Sequence, residues 1–292
     1  MKKLFRNVKT IGMIAAQDIC AWGQNFRMIM LLMMLCTVLG KLCIDIAEFA
    51  RSINSSVNVI GLLPLLYSQR SLFNHLMIQL CIVLMFLNAP FKGGNAQFTV
   101  MRTGYGKWCA GQILYIFAAS GIFTVSLFAL TNIFSLGSVS YSLKWGKTLS
   151  TLMNSRSGLG ASISKRIGPQ FTPLEALLHN MLLIFLLAVF LGLLTFFFSS
   201  VVGRSSGVIA SAAVVLLGIY PEYAEFIPGA VRISPCSLTN LEFVTKETGK
   251  SFYPGLSYSY AVLGGLVLLF AAANIFVYSN KNLRHYIYAA EV

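Results

Sequence analysis

Glu175 and His179 form a carboxylate–imidazole pair four residues apart, a spacing that puts both side chains on one face of a helix. A hydrolase working inside a membrane can use such a pair as general base and acid. The same pair is also typical of a helix entrance, where its members make structural hydrogen bonds. Nothing else in the sequence clusters with the pair. We therefore expect a structural role and keep an intramembrane enzyme as an alternative.

Lys41 and Asp45 are also four residues apart, within an apolar stretch. Opposite charges at this spacing neutralise each other, whereas ionisable groups in a membrane span often mark a transport path. On a helix that begins at Arg27, Lys41 lies about 21 Å along the axis, from where its ammonium can snorkel to the outer interface. Candidates for lining a translocation path are Lys41, Asp45, Glu222 and Glu225.

Several motifs of soluble enzymes are absent from the sequence. There is no G-x-x-x-x-G-K-[ST] phosphate loop, no H-E-x-x-H pattern and no G-x-S-x-G elbow. The three histidines are scattered, and none of the six cysteines forms a C-x-x-C pair. We therefore predict no catalytic residue, metal site or disulfide framework in this chain, and no cofactor bound by it.

The composition indicates a membrane protein, because 57% of the 292 residues are hydrophobic and only 11% are charged. A soluble domain carries about 25% charged residues. The formal net charge of +13 is largely confined to segments between apolar runs. Anionic lipid headgroups are therefore a better match than nucleic acid, for which no recognition pattern is present.

Apolar stretches of about 20 residues predict an all-α integral membrane fold with six spans. The second span contains Asn74 and His75 near its start, and Pro221 interrupts the fifth span, which therefore breaks or re-enters. The predicted spans are Arg27–Ala50, Leu72–Phe91, Trp108–Leu136, Leu174–Val202, Gly207–Ile227 and Tyr258–Tyr278.

The N-terminal residues predict an amphipathic helix on the membrane surface rather than a signal peptide, because Gln17 and Asp18 interrupt any apolar run. At 100° per residue, Lys2, Arg6 and Lys9 lie opposite an apolar face. That face consists of Leu4, Val8, Ile11, Ala15, Ile19 and Trp22.

Basic residues in the short segments between spans predict that both termini are cytoplasmic. These residues are the N-terminal lysines, Lys92, Arg102, Lys107, Arg204, Lys281 and Arg284. The segment 137–173 opposes this assignment, because it contains five basic residues and the topology places it outside. Long loops are weaker topology signals than short ones, so the assignment is kept.

The predicted cytoplasmic segment between spans two and three, residues 92–107, is rich in glycine and basic residues. Its centre predicts a short helix over Ala96–Thr103, with Phe98 and Met101 on the apolar side. Trp108 then begins the third span at the interface. Such a helix suits a lever that senses a partner, although an ordinary basic loop that only fixes topology is the alternative.

The order of these features resembles the permease subunits of ABC type-2 exporters. The resemblance rests on the basic N-terminal helix, the six spans, the sequence "MRTGYGKWCAGQILY" and the outer segment "YPEYAEFIPGAVRISPCSLTN". It implies a connecting helix in residues 1–25 and a permease domain in residues 26–292. It also implies an outer, partly re-entrant element in residues 220–241, whereas the 137–173 segment departs from the smallest members.

The resemblance further implies two copies of a separate ATPase subunit, which would bind ATP and Mg. It also implies that two copies of the permease form a homodimer. The implied location is the plasma membrane of a bacterium. The implied ATPase-coupling residues are Phe98, Thr99, Met101, Arg102, Thr103, Tyr105 and Lys107. The implied connecting-helix residues are Leu4, Phe5, Arg6, Val8, Lys9 and Ile11.

The expected activity is export by alternating access. The expected cargo is amphipathic or hydrophobic, with a peptide toxin or antimicrobial peptide as the first choice and a lipid or drug next. A secondary transporter or channel is the principal alternative, although mid-span polar residues and an internal repeat, which would favour it, are not prominent.

Overall fold

The structure, a computed structural model, describes residues 2–68, 72–89, 96–136, 139–155, 166–223, 230–244 and 254–280. These residues are nearly all helical, and their two strands, β1 (Val57–Asn58) and β2 (Val139–Ser140), form one short parallel pair. The helices are α1 (Lys2–Cys20), α2 (Phe26–Ser52), α3 (Val59–Tyr67), α4 (Leu72–Met85), α5 (Ala96–Thr103), α6 (Tyr105–Phe134), α7 (Gly146–Asn154), α8 (Ile167–Gln170), α9 (Pro173–Val201), α10 (Arg204–Tyr223), α11 (Leu241–Val244) and α12 (Leu256–Ser279).

Four of the described helices are long and apolar enough to cross a membrane. They are α2, α6, α9 and α12, with 27, 30, 29 and 24 residues. These helices confirm the predicted first, third, fourth and sixth apolar helices, because uninterrupted apolar length is a local property of the sequence.

Helix α9 lies at the centre of the bundle and packs against α3, α4, α6, α10 and α12. It is apolar on all sides, as a helix enclosed by other helices must be. Its start is fixed by a capping box. The Thr172 hydroxyl accepts the Glu175 N–H at 3.4 Å, and the Glu175 carboxylate accepts the Thr172 N–H at 2.9 Å.

The bundle has two distinct ends, named here after their surface helices. At the α1 end, the Trp108 ring at the start of α6 lies 5.4 Å from the Tyr278 ring near the end of α12. At the α7 end, the indole N–H of Trp145 donates to the carbonyl of Phe171, just before α9. Helices α9 and α12 therefore run from the α7 end to the α1 end, and α6 runs in the opposite direction.

The predicted second span, Leu72–Phe91, requires correction. Helix α4 ends at Met85 and is followed by a turn over Phe86–Ala89, whereas Phe91 lies outside the described residues. A preceding helix, α3, was missed, and its residues from Gly61 to Tyr67 are buried although Pro64 lies inside it. Proline removes a backbone donor, so α3 is short and its buried position depends on the surrounding elements.

The predicted fifth span, Gly207–Ile227, corresponds to α10, which ends at Tyr223, and Ile227 lies outside the described residues. The chain then returns toward the core in an irregular segment, defined here as the return segment, residues 230–244. The hydroxyls of Ser234 and Ser237 in this segment both donate to the Gly218 carbonyl of α10, at 2.8 and 2.9 Å. Residues 236–244 of the return segment are buried, whereas Arg232 and Ile233 are exposed.

The described part of the 137–173 segment folds against the start of α3. Strand β2 pairs with β1, and the Thr148 hydroxyl of α7 donates to the Ser56 carbonyl at 2.8 Å. Leu149 and Leu152 of α7 are buried. Residues 139–155 therefore form a cap on the bundle, whereas residues 137–138 and 156–165 lie outside the described residues.

Candidate functional site

Helix α5 presents three exposed side chains of the predicted coupling set. Phe98 is 67% exposed, Met101 is 81% exposed, and Arg102 is also exposed. A fourth side chain, that of Val100, is buried against the bundle and anchors the helix. The predicted helix over Ala96–Thr103 is confirmed, and its apolar side chains extend away from the protein.

A rigid joint connects α5 to α6. Gly104 has φ +83°, a conformation that glycine adopts without strain, and its N–H donates to the Val100 carbonyl at 2.8 Å. The Thr103 hydroxyl donates to the carbonyl of Thr99 at 2.7 Å. The chain therefore turns at Gly104, and two hydrogen bonds close the end of α5.

The first turn of α6 is anchored in the core by aromatic packing. Trp108 is buried, and its ring lies 5.4 Å from the Tyr278 ring and 6.1 Å from the Phe196 ring. Tyr105 and Lys107, at the start of the same helix, are half-buried. The first turn of α6 is thus packed directly against α9 and α12.

Helix α1 crosses α6 one turn further along, at Gly111. A β-carbon added at Gly111 would lie 2.7 Å from Cγ2 of Ile14, so only glycine permits this approach. Ile14, the residue of α1 that lies closest to α6 there, was not assigned to the predicted apolar face.

Two polar pairs extend the contact between α1 and α6. The Gln112 amide donates to the Asp18 carboxylate at 2.8 Å, and the Trp22 indole N–H donates to the Tyr115 hydroxyl at 2.9 Å. Burial raises the pKa of Asp18 to about 6, against the smaller lowering effect of the Gln112 hydrogen bond. A raised pKa of this kind predicts that the attachment of α1 depends on pH between about 4 and 6.

The predicted connecting-helix residues occupy different environments within α1. Ile11 is half-buried toward α6, whereas Val8 and Lys9 are exposed. Leu4, Phe5 and Arg6 belong to the first two turns of α1. The side chains of this helix are described only from Asn7 onward. Much of the face predicted for the membrane surface, including buried Ala15, instead packs against protein.

The helices that carry the coupling and connecting residues, α5 and α1, thus both pack on α6, whereas the predicted path residues that the structure describes lie on other helices. Lys41 is exposed and Asp45 half-buried on α2, and Lys41 is about 21 Å along the helix from Arg27. Glu222 belongs to the last turn of α10, and Glu225 lies outside the described residues.

Glu175 and His179 have separate structural partners. Glu175 is exposed and forms the capping box of α9 with Thr172. His179 Nδ1 lies 2.8 Å from the Tyr260 hydroxyl of α12, and the imidazole packs edge-on to the Phe171 ring. Both residues therefore make structural hydrogen bonds near the start of α9, as expected for this pair.

Sequence reasoning missed a buried polar cluster near the α7 end. The Tyr67 hydroxyl lies 2.9 Å from the Thr239 hydroxyl of the return segment, and the Tyr67 ring packs edge-on to His75. His75 in turn lies 3.0 Å from the Gln79 amide nitrogen. The apolar run from Val57 to Tyr67 was the signal for α3, but no local pattern indicates its partners.

Among the described residues, no group of three or more His, Cys, Asp or Glu side chains is positioned to hold a metal ion. None of the six cysteines forms a disulfide, and four of them are buried. Comparison with protein-family models, curated proteins and solved structures found no match. The site is therefore interpreted from its own geometry.

Proposed function

We propose that this chain is the transmembrane permease subunit of an ATP-driven exporter of the ABC type-2 class. The observation that carries the proposal is α5, an eight-residue helix that exposes Phe98, Met101 and Arg102 and is joined rigidly to a long apolar helix. Exposed large apolar side chains beside a cation are typical of a protein docking surface.

The proposed partner is an ATPase subunit, present in two copies. The sequence has no phosphate loop, so ATP and Mg would be bound by the partner and not by this chain. Phe98 and Met101 would enter apolar pockets of the ATPase, while Arg102 and Lys107 would face its acidic groups. Helix α1, packed on α6 beside this surface, would provide the second contact.

The proposed mechanism is alternating access between two permease copies. Closure of the ATPase dimer displaces α5, and the Gly104 joint and the Trp108 anchor transmit the displacement to α6, α9 and α12. Such a transition needs contacts that differ between two states, which a docked ATPase provides through ATP binding and hydrolysis. The proposed cargo is amphipathic or hydrophobic, with a peptide toxin or antimicrobial peptide as first choice.

The course of the chain supports a six-span arrangement. The four long apolar helices are supplemented by the α3–α4 pair and by α10, so the chain passes between the α1 end and the α7 end six times. The basic coupling segment at the α1 end supports a cytoplasmic position for that end and for both termini. The proposed location is the plasma membrane of a bacterium.

The proposal is tested by purifying the tagged chain from its native membrane in mild detergent and identifying co-purified proteins by mass spectrometry with an ATPase assay. We expect a stoichiometric phosphate-loop ATPase. The variant R102E/K107E should lower its recovery about tenfold or more, because two attractive contacts become repulsive. The matched variant K144E/K147E changes the same charges at the α7 end and should leave recovery unchanged.

The second variant F98A/M101A removes the apolar contacts without changing charge and should also release the ATPase. A single chain that is pure in several detergents, without an ATPase, would contradict the proposal and favour a secondary transporter or channel. An intramembrane enzyme instead predicts activity from the isolated chain that is lost in E175Q and H179Q, although both residues have structural partners.

A further inference from the structure

The α7 end carries an unexpected positive charge. The segment 137–173 contains five basic residues and no acidic residue, and the proposed topology places it outside. Lys144 and Lys147 within it are both exposed. Positive charge on the outer side is unusual for a membrane protein, so a specific anionic partner would explain it.

Exposed apolar side chains lie beside these lysines. Tyr141 is 70% exposed and Leu143 is 67% exposed, and at the end of α6 Ile133 is 55% and Leu136 is 72% exposed. These residues are defined here as the α7 rim: Ile133, Leu136, Tyr141, Leu143, Lys144 and Lys147.

The rim is held in place by buried polar contacts. The Asn58 amide donates to the carbonyls of Ser142 and Lys144, both at 2.7 Å, and Asn58 itself is 1% exposed. The adjacent Trp145 ring packs against Gly61, and its N–H donates to Phe171. Exposure of the rim side chains is thus a fixed property of the folded segment.

The rim lies level with the end of a long apolar helix. The Tyr141 hydroxyl donates to the Asn132 side chain of α6 at 3.2 Å, which places the ring along the flank of the last turns of that helix. Tyrosine is enriched where spans meet the membrane–water interface, and lysine ammonium groups reach phosphates from such positions.

We propose that the α7 rim binds anionic phospholipids at the bilayer surface, with Lys144 and Lys147 on the headgroup phosphates and Leu143 and Tyr141 among the upper acyl chains. The combination of two cations, an aromatic hydroxyl and an apolar edge matches one lipid molecule and its neighbours. This inference requires that α6 spans the membrane, and it does not rest on the proposed ATPase partner.

The experiment uses the full chain in liposomes that contain photoreactive phosphatidylglycerol or photoreactive phosphatidylcholine with the same acyl chains. After illumination and peptic digestion, mass spectrometry measures lipid capture on peptides that cover 139–155. Peptides that contain Leu268 and Phe276, two exposed residues of α12, give the reference for charge-independent lipid contact.

We expect phosphatidylglycerol capture at the rim to exceed phosphatidylcholine capture by up to about 25-fold, since each of the two cations near the surface contributes about fivefold in affinity. K144Q/K147Q should remove this preference. K144R/K147R should retain capture, and so should N154A, which changes an exposed uncharged residue of the same helix. Higher salt should lower the preference.

Equal capture of the two lipids at the rim would overturn the proposal. Capture on α12 without any at the rim would also overturn it, because water or a protein partner would then cover the rim. Unchanged α12 capture in K144Q/K147Q shows that the variant is folded. Unchanged co-purification of the ATPase in the same variant separates this test from that of the proposed function.

Discussion

The two ends of the bundle are held together by different interactions. At the α7 end, Asn58 is buried and serves four backbone groups, as donor to Ser142 and Lys144 and as acceptor from Ile60 and Ser142. At the α1 end, α1 meets α6 through the close approach of Ile14 to Gly111. Polar contacts hold irregular backbone in place, and side-chain volume sets the distance between two helices.

This difference is related to the structures that each end has to stabilise. Short strands, α3 and the return segment leave backbone groups that need partners, and buried side chains such as Asn58 and Thr148 supply them. Helices satisfy their own backbone groups, so α1 and α6 pack through matching surfaces, to which the Gln112–Asp18 and Trp22–Tyr115 hydrogen bonds are added. Changes of hydrogen bonding should therefore affect the α7 end most, and changes of size the α1 end.

The largest effect is expected for Asn58→Ala, which leaves several buried backbone groups without their partner. We expect a loss of about 2–4 kcal/mol in the free energy of local unfolding, measured by hydrogen exchange of the amides in 139–155. Asn154→Ala, an exposed change on α7, is the control. Exchange that increases equally in α1 would contradict the separation of the two ends.

Gly111→Ala should act at the opposite end. The added methyl group meets Ile14 at 2.7 Å, and we expect a cost of about 1–3 kcal/mol in the attachment of α1, measured by exchange of the α1 amides. Gly106→Ala is the matched control, because nothing lies within 4 Å of its added β-carbon. That control should be neutral or stabilise α6 by up to about 1 kcal/mol. Similar exchange of α1 in both variants would refute the close-packing explanation.

The attachment of α1 should also depend on pH through Asp18. Its pKa is raised to about 6 in the folded protein from an ordinary value of 3.8, so protonation favours the folded contact. Above pH 6 the Asp18 carboxylate is ionised, and its charge destabilises the contact between α1 and α6 by the full amount. As pH falls from 6 toward 4, the carboxylate gains a proton and the contact should become more stable.

Asp18→Asn tests this dependence by removing the charge while keeping an acceptor for Gln112. At pH 7.5 we expect the α1 amides to exchange more slowly, with the free energy of local opening raised by about 1–2 kcal/mol. This value allows for the partial exposure of Asp18. The pH dependence of α1 exchange should be lost. A wild-type contact that weakens between pH 7.5 and pH 5 would show that the sign is wrong.

The smallest effect is expected for Thr172→Ala, which removes the capping hydroxyl of α9. The cost should be about 1 kcal/mol in thermal unfolding, because α9 is otherwise held by packing along its whole length. Thr172→Ser restores the hydroxyl and should recover the stability. A loss several times larger would mean that the cap organises the α7 end and not only the start of one helix.

The long helices, together with α1 and α5, could be predicted from local features of the chain. Apolar length, helical periodicity and glycine at position 104 are local properties, and they predicted α2, α6, α9, α12 and the bounds of α5. The capping box at Thr172 and Glu175 is equally local, although Glu175 was first considered for acid–base chemistry.

Contacts between polar groups that are far apart in the chain could not be predicted in this way. Asn58 and Ser142 are 84 residues apart, and Tyr67 and Thr239 are 172 residues apart. Whether α1 places its apolar face on lipid or on α6 depends on a glycine about a hundred positions later. The burial of α3, with a proline inside it, likewise depends on α7, α9 and the return segment. Local propensity carries no information about such contacts, because their energy appears only when distant surfaces come together.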